Sequence, residues 1–137
     1  IVLDSPWVTF GEPGAGFDPR RADGEIDWAL AAVRLFGAAA VVPIMEELFW
    51  RSFILRWIDN PDFLRQSPAA ASLRALAISA VLFGVEHHQW LAGILAGLAY
   101  GGLYMRSGTL WSPILSHAVT NLLLGLWVVT TGAWHFW

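Results

Sequence analysis

The chain has 137 residues, the length of one domain, of which 56% are hydrophobic and only 14% charged. Soluble domains carry about 25% charged residues, so this composition, with a mean hydropathy of +0.53, is that of a membrane protein. There is no cysteine, which excludes disulfides, a thiol nucleophile and thiolate metal sites; a net charge of −3 without lysine or a basic patch argues against nucleic-acid binding.

Residues 1–26 are acidic and rich in Gly and Pro (Gly11, Pro13, Gly14, Gly16, Pro19) and read as an extramembrane loop, with a short structured piece at Trp7 to Phe10. They show no signal-peptide pattern. The chain begins at Ile1 rather than Met, as a piece of a longer protein would. Residues 27–137 read as the transmembrane core.

The first helix is expected from about Asp27 to about Trp57, longer than the ~20 residues one span needs. Pro43 should interrupt its hydrogen-bond ladder. Arg34 breaks its apolar run, either snorkelling to the interface or pairing with an acid. Residues 58–68 read as a polar connection. A second helix is expected from about Ala69 to His88, a third from Trp90 to Met105, and a fourth from about Thr109 to Thr131. Gly93, Gly97 and Gly101 fall four apart on the third helix, a small-residue face for close helix packing. Of the nine Trp residues, Trp7, Trp28, Trp90, Trp111, Trp134 and Trp137 lie near the ends of apolar runs, where interfacial aromatics concentrate. Arg56, Arg65, Arg74 and Arg106 put both inter-helix connections on one side, the cytoplasmic side by the positive-inside rule. The expected fold is all-α: a polytopic transmembrane bundle with about four spans in this chain, part of a larger bundle.

Chemistry is suggested by ionisable groups inside these apolar segments, where each costs roughly 2.5 to 3.5 kcal/mol at a helix centre. Glu46 and Glu47 are adjacent and point in different directions. Glu47 and Arg51 are i,i+4 and can pair. Glu46, desolvated beside a second carboxylate, is the better proton acceptor near neutral pH. The alternative for these three residues is a purely structural buried network. His87 follows Phe83 at i+4 near a helix end, a place where histidines are more often interfacial than catalytic; His88 and Glu86 leave both readings open. His135, near the aromatic C-terminus, reads as interfacial. His117 and Asn121 share one face of the fourth helix and offer N–H donors to a common point, either bracing a helix contact or stabilising an oxyanion. At ~1.5 Å per residue from the arginine-rich side, Glu46 lies at about 15 Å, His117 at about 12 Å and His87 at about 20 Å, so the three can converge.

Other intramembrane proteases fit less well. There is no His-Glu-x-x-His, no Asp within a helix core, and Ser116 faces away from the adjacent His117. Met105-Arg106-Ser107-Gly108 lacks the first Gly of a rhomboid-type Gly-x-Ser-Gly.

Glu46-Glu47-x-x-x-Arg51, Phe83-x-x-x-His87 and His117-x-x-x-Asn121, in that order on successive apolar helices, resemble the CAAX protease and bacteriocin-processing (CPBP/Abi) family of intramembrane glutamate proteases. The run Val42-Pro43-Ile44-Met45-Glu46-Glu47-Leu48-Phe49-Trp50-Arg51-Ser52-Phe53 is also similar to the bacterial CAAX prenyl protease-related branch, part of which is associated with exosortase systems. The resemblance implies that Glu46 is the general base, acting with His87 on water, that His117 and Asn121 stabilise the oxyanion, and that Glu47 and Arg51 support them. No cofactor is expected, with zinc as the alternative.

The reading is an endopeptidase of the bacterial cell membrane. Its substrate is a membrane-associated protein or peptide, lipidated or carrying a C-terminal signal; its surroundings are membrane lipid. Its oligomeric state is open. Three alternatives remain. Glu46, His87 and His117 could form a His₂Glu zinc site. The network could belong to a non-enzymatic scaffold or immunity protein. Or the Glu and His residues could relay protons in a transporter, although the glycine-packed third helix offers no polar residue for a continuous path.

Overall fold

The computed structural model describes residues 7–9 and 16–137. Residues 1–6 and 10–15 of the sequence-defined N-terminal loop, among them Phe10, Gly11, Pro13 and Gly14, lie outside the described residues. Four main helices follow: α1 (Trp28–Trp57), α2 (Leu73–Val85), α3 (Trp90–Ser107) and α4 (Trp111–Thr131). No strand occurs among the described residues, apart from an isolated antiparallel bridge between Arg20 and Ile26.

Local chemistry sets the helix ends. The Asp27 carboxylate accepts from the Ala29 and Leu30 amides and starts α1. Ser72 Oγ accepts from the Ala75 amide and starts α2. Gly108 and Gly132 take the left-handed conformation (φ +68° and +70°) and end α3 and α4. α2 is therefore shorter than its apolar run suggested. Pro68 opens a separate 3₁₀ turn (Pro68–Ala70), and Asp59 holds Ser72 through its amide (2.6 Å) and its hydroxyl (2.8 Å). At the other end, the chain leaves the helix at Glu86.

α1 is continuous but not uniformly α. Two stretches, Gly37–Val41 and Leu48–Ile54, wind as π-helix and flank the segment that carries Pro43, Glu46 and Glu47. Pro43 thus acts through the register of the ladder. In the first π stretch the Val42 amide donates to the Gly37 carbonyl, five residues back. The next amide in that register would belong to Pro43, which has no N–H, so the helix offers no donor to the Ala38 carbonyl.

The third helix packs as its glycine face predicts. A Cβ on Gly93 would meet the Gly84 Cα at 2.8 Å, and one on Gly97 would meet the Ala80 Cα at 2.9 Å. The backbones of α2 and α3 are therefore in direct contact. A cluster of Leu55, Ala71, Ala75 and Tyr104, with Leu110 against it, joins the α1–α2 and α3–α4 connections at one end of the bundle, as the arginine pattern implied. Arg56 bonds the Ser52 carbonyl (2.7 Å) and the Gln66 carbonyl (3.1 Å) there and holds the connecting loop to α1.

Large apolar side chains face outward: Val33, Phe36, Met45, Leu95, Leu123 and Trp127 are all exposed, while Glu47, Arg51 and His117 are buried. A water-soluble domain has the opposite distribution. α1 and α4 are long and apolar enough to cross a membrane, and α2 is a shorter apolar helix. The molecule is an all-α membrane helix bundle. Trp28 and Trp111 are exposed at helix starts, as interfacial residues should be, but Trp134 is buried, beside Trp137 and under Arg20.

Candidate active site

The site lies where α1, the end of α2, α3 and α4 meet. The i,i+4 spacing on α1 places Arg51 Nε at 3.0 Å from Glu47 Oε2, with both side chains at least 97% buried. The pair forms as the spacing predicts. The remaining Arg51 nitrogens find no acceptor among the described residues. Its guanidinium instead lies between two rings, 4.4 Å from the Phe83 centroid and 5.5 Å from that of Tyr100, contacts that favour a desolvated cation.

The other Glu47 oxygen reaches across the bundle. His117 Nδ1 donates to Glu47 Oε1 at 2.9 Å. An ionised carboxylate can only accept, so this bond fixes the hydrogen on Nδ1 and turns Nε2 toward Glu46. Nε2 lies 3.9 Å from Glu46 Oε2. The imidazole is held on its faces as well: Tyr100 stacks on it at 4.9 Å with 19° between the planes, and Phe83 meets it edge-on at 6.2 Å.

His87 is fixed by its own helix. Its Nδ1 donates to the Phe83 carbonyl at 2.7 Å, so the neutral ring keeps Nε2 as an acceptor. Asn121 Nδ2 donates to the Ala38 carbonyl at 2.9 Å, the acceptor that Pro43 leaves without a helix amide. One N–H of this side chain is thus used to join α4 to α1, and one remains.

A cavity of about 610 Å³ brings these groups together. Glu46, His87, His117 and Asn121 all line it. Glu47 and Arg51 do not; Glu47 holds His117, and Arg51 pairs with Glu47. Glu46 Oε2 is buried without a hydrogen-bond partner among the described residues, although the side chain as a whole is 28% exposed. A second cavity of about 450 Å³ shares His87, His117 and Asn121, and is also lined by His88 and His135. Both side chains are exposed, in keeping with an interfacial place. No group of three or more His, Cys, Asp or Glu residues close enough to hold a metal ion occurs among the described residues.

The sequence reading did not place two residues, Tyr100 and Arg34, at the site. Tyr100 is a buried polar residue on the glycine-packed helix, which had been expected to offer none. Its signal was its place at helical spacing after the close-packed Gly93 and Gly97, on the face that the helix turns into the bundle. Arg34 also lines the larger cavity. It pairs with no acid of the described residues and lies over the Phe17 ring, 5.4 Å from its centroid.

An all-helical membrane bundle with a Glu/His cavity braced by a buried Glu–Arg pair has the features of an intramembrane hydrolase. Residues 28–123 match the family model described as type II CAAX prenyl endopeptidase Rce1-like, and the chain belongs to that family of CAAX-type membrane proteases. It is accordingly an integral membrane protein. No curated protein and no solved structure matches the chain.

Proposed function

We propose that this protein is a metal-independent endopeptidase that uses Glu46 to activate water against a peptide bond of a membrane-anchored protein substrate. The observation that carries this reading is the single cavity shared by Glu46, His87, His117 and Asn121, together with a buried oxygen of Glu46 that has no hydrogen-bond partner among the described residues.

The chemistry follows from the donors and acceptors. A water molecule between Glu46 and His87 Nε2 has two acceptors and keeps a lone pair for the scissile carbonyl. Glu46 takes a proton as the oxygen–carbon bond forms, and later delivers it to the leaving amine. The oxyanion takes hydrogen bonds from His117 Nε2–H and the second Asn121 N–H. This requires His117 to be the imidazolium when the oxyanion forms. Glu46 and Glu47 contribute two negative charges and Arg51 and His117 two positive ones, so the desolvated cluster is neutral. Glu47 supports the cation from Nδ1, and Tyr100 covers its face.

The test is cleavage of a panel of membrane-anchored peptides by purified protein in vesicles, wild type against Glu46→Gln, with and without a chelator. We expect chelator-resistant cleavage that Glu46→Gln abolishes while its melting temperature is retained. Loss of activity in chelator would replace this mechanism with the His₂Glu zinc alternative. An active Glu46→Gln variant would remove Glu46 from the chemistry.

A further inference from the structure

Two cavities reach the hydrolytic groups, and one short aromatic segment borders both. His87, His117 and Asn121 line the cavity of about 610 Å³ that holds Glu46 and also the cavity of about 450 Å³. Phe136 and Trp137 line both as well, and His135 lines the smaller. A peptide with its scissile bond at His117 has chain on each side of that bond. Seated across both cavities, it has to pass these two rings.

The segment is fastened by contacts that are individually weak. After Gly132 ends α4, Trp134–Phe136 wind as a single 3₁₀ turn. Trp134 is buried and forms the base, with the Arg20 guanidinium 6.0 Å from its ring centroid. Phe136 and Trp137 are only half-buried. Phe136 meets Trp127 of α4 edge-on at 5.3 Å. Trp137 is tied to the loop before α1: its carbonyl accepts from the Phe17 amide at 2.9 Å, and the two rings lie 6.4 Å apart. Gly16 belongs to the same clasp, since a Cβ there would run into the Trp134 carbonyl. The cluster of Leu55, Ala75 and Tyr104 stands at the opposite end of the bundle, so the clasp can part without disturbing it. One backbone hydrogen bond and a few ring contacts are a fastening that opens locally while the helices stay folded.

Both halves of the clasp lie outside residues 28–123, the part that matches the family model. We propose that Phe136 and Trp137, clasped to Phe17, form a gate over the two cavities, and that a peptide chain seats across His117 only when the clasp opens. The proposal rests on the hydrolytic reading given above for what the cavities hold. Closed, the strap leaves two compartments, each of a size for a small ligand. Open, it joins them into one site for an extended chain. The gate acts on substrate association rather than on the chemistry, because the hydrogen bonds that hold His117, His87 and Asn121 go to Glu47, Phe83 and Ala38.

The chain contains no cysteine, so a paired substitution gives one defined cross-link. Phe17→Cys with Trp137→Cys joins residues that are already neighbours through a backbone hydrogen bond, the kind of approach that a disulfide spans at about 4.4 to 6.8 Å between Cα atoms. The probe is the fluorescent membrane-anchored peptide of the panel above that the Glu46→Gln protein binds most tightly, in phosphatidylcholine vesicles. Association rate and Kd are measured in the Glu46→Gln background and kcat/KM in the active one, with the pair oxidised and then reduced. Oxidation should lower the association rate and kcat/KM about tenfold or more at a retained or raised melting temperature, and reductant should restore both. Phe17 lines neither cavity, so Phe17→Ala acts through the clasp alone and should raise the association rate about two- to tenfold. Equal association in oxidised and reduced protein would overturn the proposal, since the strap would then be a fixed wall. So would failure of the pair to cross-link, or an association rate that Phe17→Ala leaves unchanged. If Phe17→Ala lowers the melting temperature, the oxidised-against-reduced comparison decides, because both states carry the same residues. If Glu46→Gln still cleaves, the hydrolytic reading fails, and the association rates still decide the gate.

Discussion

The bond from Asn121 to Ala38 separates two roles that sequence spacing left equal, and a double-mutant cycle with Pro43 distinguishes them. Asn121→Ala removes the donor that satisfies the Ala38 carbonyl. A hydrogen bond of this kind contributes about 0.5 to 1.5 kcal/mol net, and an acceptor left buried without a partner costs about 1 to 3 kcal/mol. Asn121 is half-buried and lines a cavity that water can enter, so about 1 kcal/mol is expected. Pro43→Ala restores a backbone N–H to α1. In the π register the new amide reaches Ala38 directly; in the α register the Val42 amide does. Either way the carbonyl no longer needs Asn121, and Asn121→Ala should then cost little stability. The small void left by the buried proline appears in both Pro43→Ala proteins and cancels. The coupling of about 1 kcal/mol stands clear of the ~0.3 to 0.5 kcal/mol scatter for independent sites. The assay is denaturant unfolding in mixed micelles for the four proteins, with turnover measured on the same samples. An oxyanion contact does not depend on the Ala38 carbonyl, so the expected loss in kcat of about a hundredfold to a thousandfold, with KM nearly constant, should persist in both backgrounds. Zero coupling would refute the bracing role. Near-wild-type turnover in Asn121→Ala would refute the oxyanion role.

Other outcomes follow from the same geometry. Arg51→Ala leaves Glu47 buried with only His117 and should destabilise by roughly 3 to 5 kcal/mol, seen as low folded yield; a normal melting temperature with selective loss of turnover would instead make Arg51 a participant in the chemistry. Gly97→Ala forces a Cβ against the Ala80 backbone and should lower the melting temperature. Gly102→Ala meets nothing within 4 Å and should raise stability by about 0.5 to 1 kcal/mol through helix propensity, so equal effects at the two positions would contradict the α2–α3 packing. In the loop between α1 and α2, the Ser72 amide and hydroxyl hold the Asp59 carboxyl below its ordinary value. A lowered native pKa contributes stability that is present above the unfolded value of about 3.9 and is lost as pH falls through the native one. Melting temperatures from pH 7 to pH 2 should therefore fall less steeply below pH 4 in Asp59→Asn than in wild type; parallel curves would show that this cap adds nothing.

The sequence by itself determined what depends on one helix at a time. Apolar runs placed the four helices, glycines at Gly93 and Gly97 marked a close-packed face, and the i,i+4 spacing of Glu47 and Arg51 fixed their pairing. The cost of ionisable groups in apolar segments singled out Glu46, His87 and His117, the i,i+4 spacing added Asn121, and the structure brings all four to one cavity. Tertiary structure decided what depends on how helices are rotated and set in depth against one another. Glu47 bonds His117 from 70 residues away, and Asn121 reaches Ala38 across 83; no periodicity within either helix encodes such a choice of partner. The start of α2 moved because Asp59, thirteen residues upstream, holds Ser72 at its N-cap. The π stretches of α1 were hidden for the same reason. Pro43 announces a missing N–H, but which carbonyl loses its partner, and whether another helix supplies a donor, is settled only when α4 packs against α1. That register shift lies between Arg34 and Glu46, which line one cavity although a count of ideal α-helical turns places them about 120° apart.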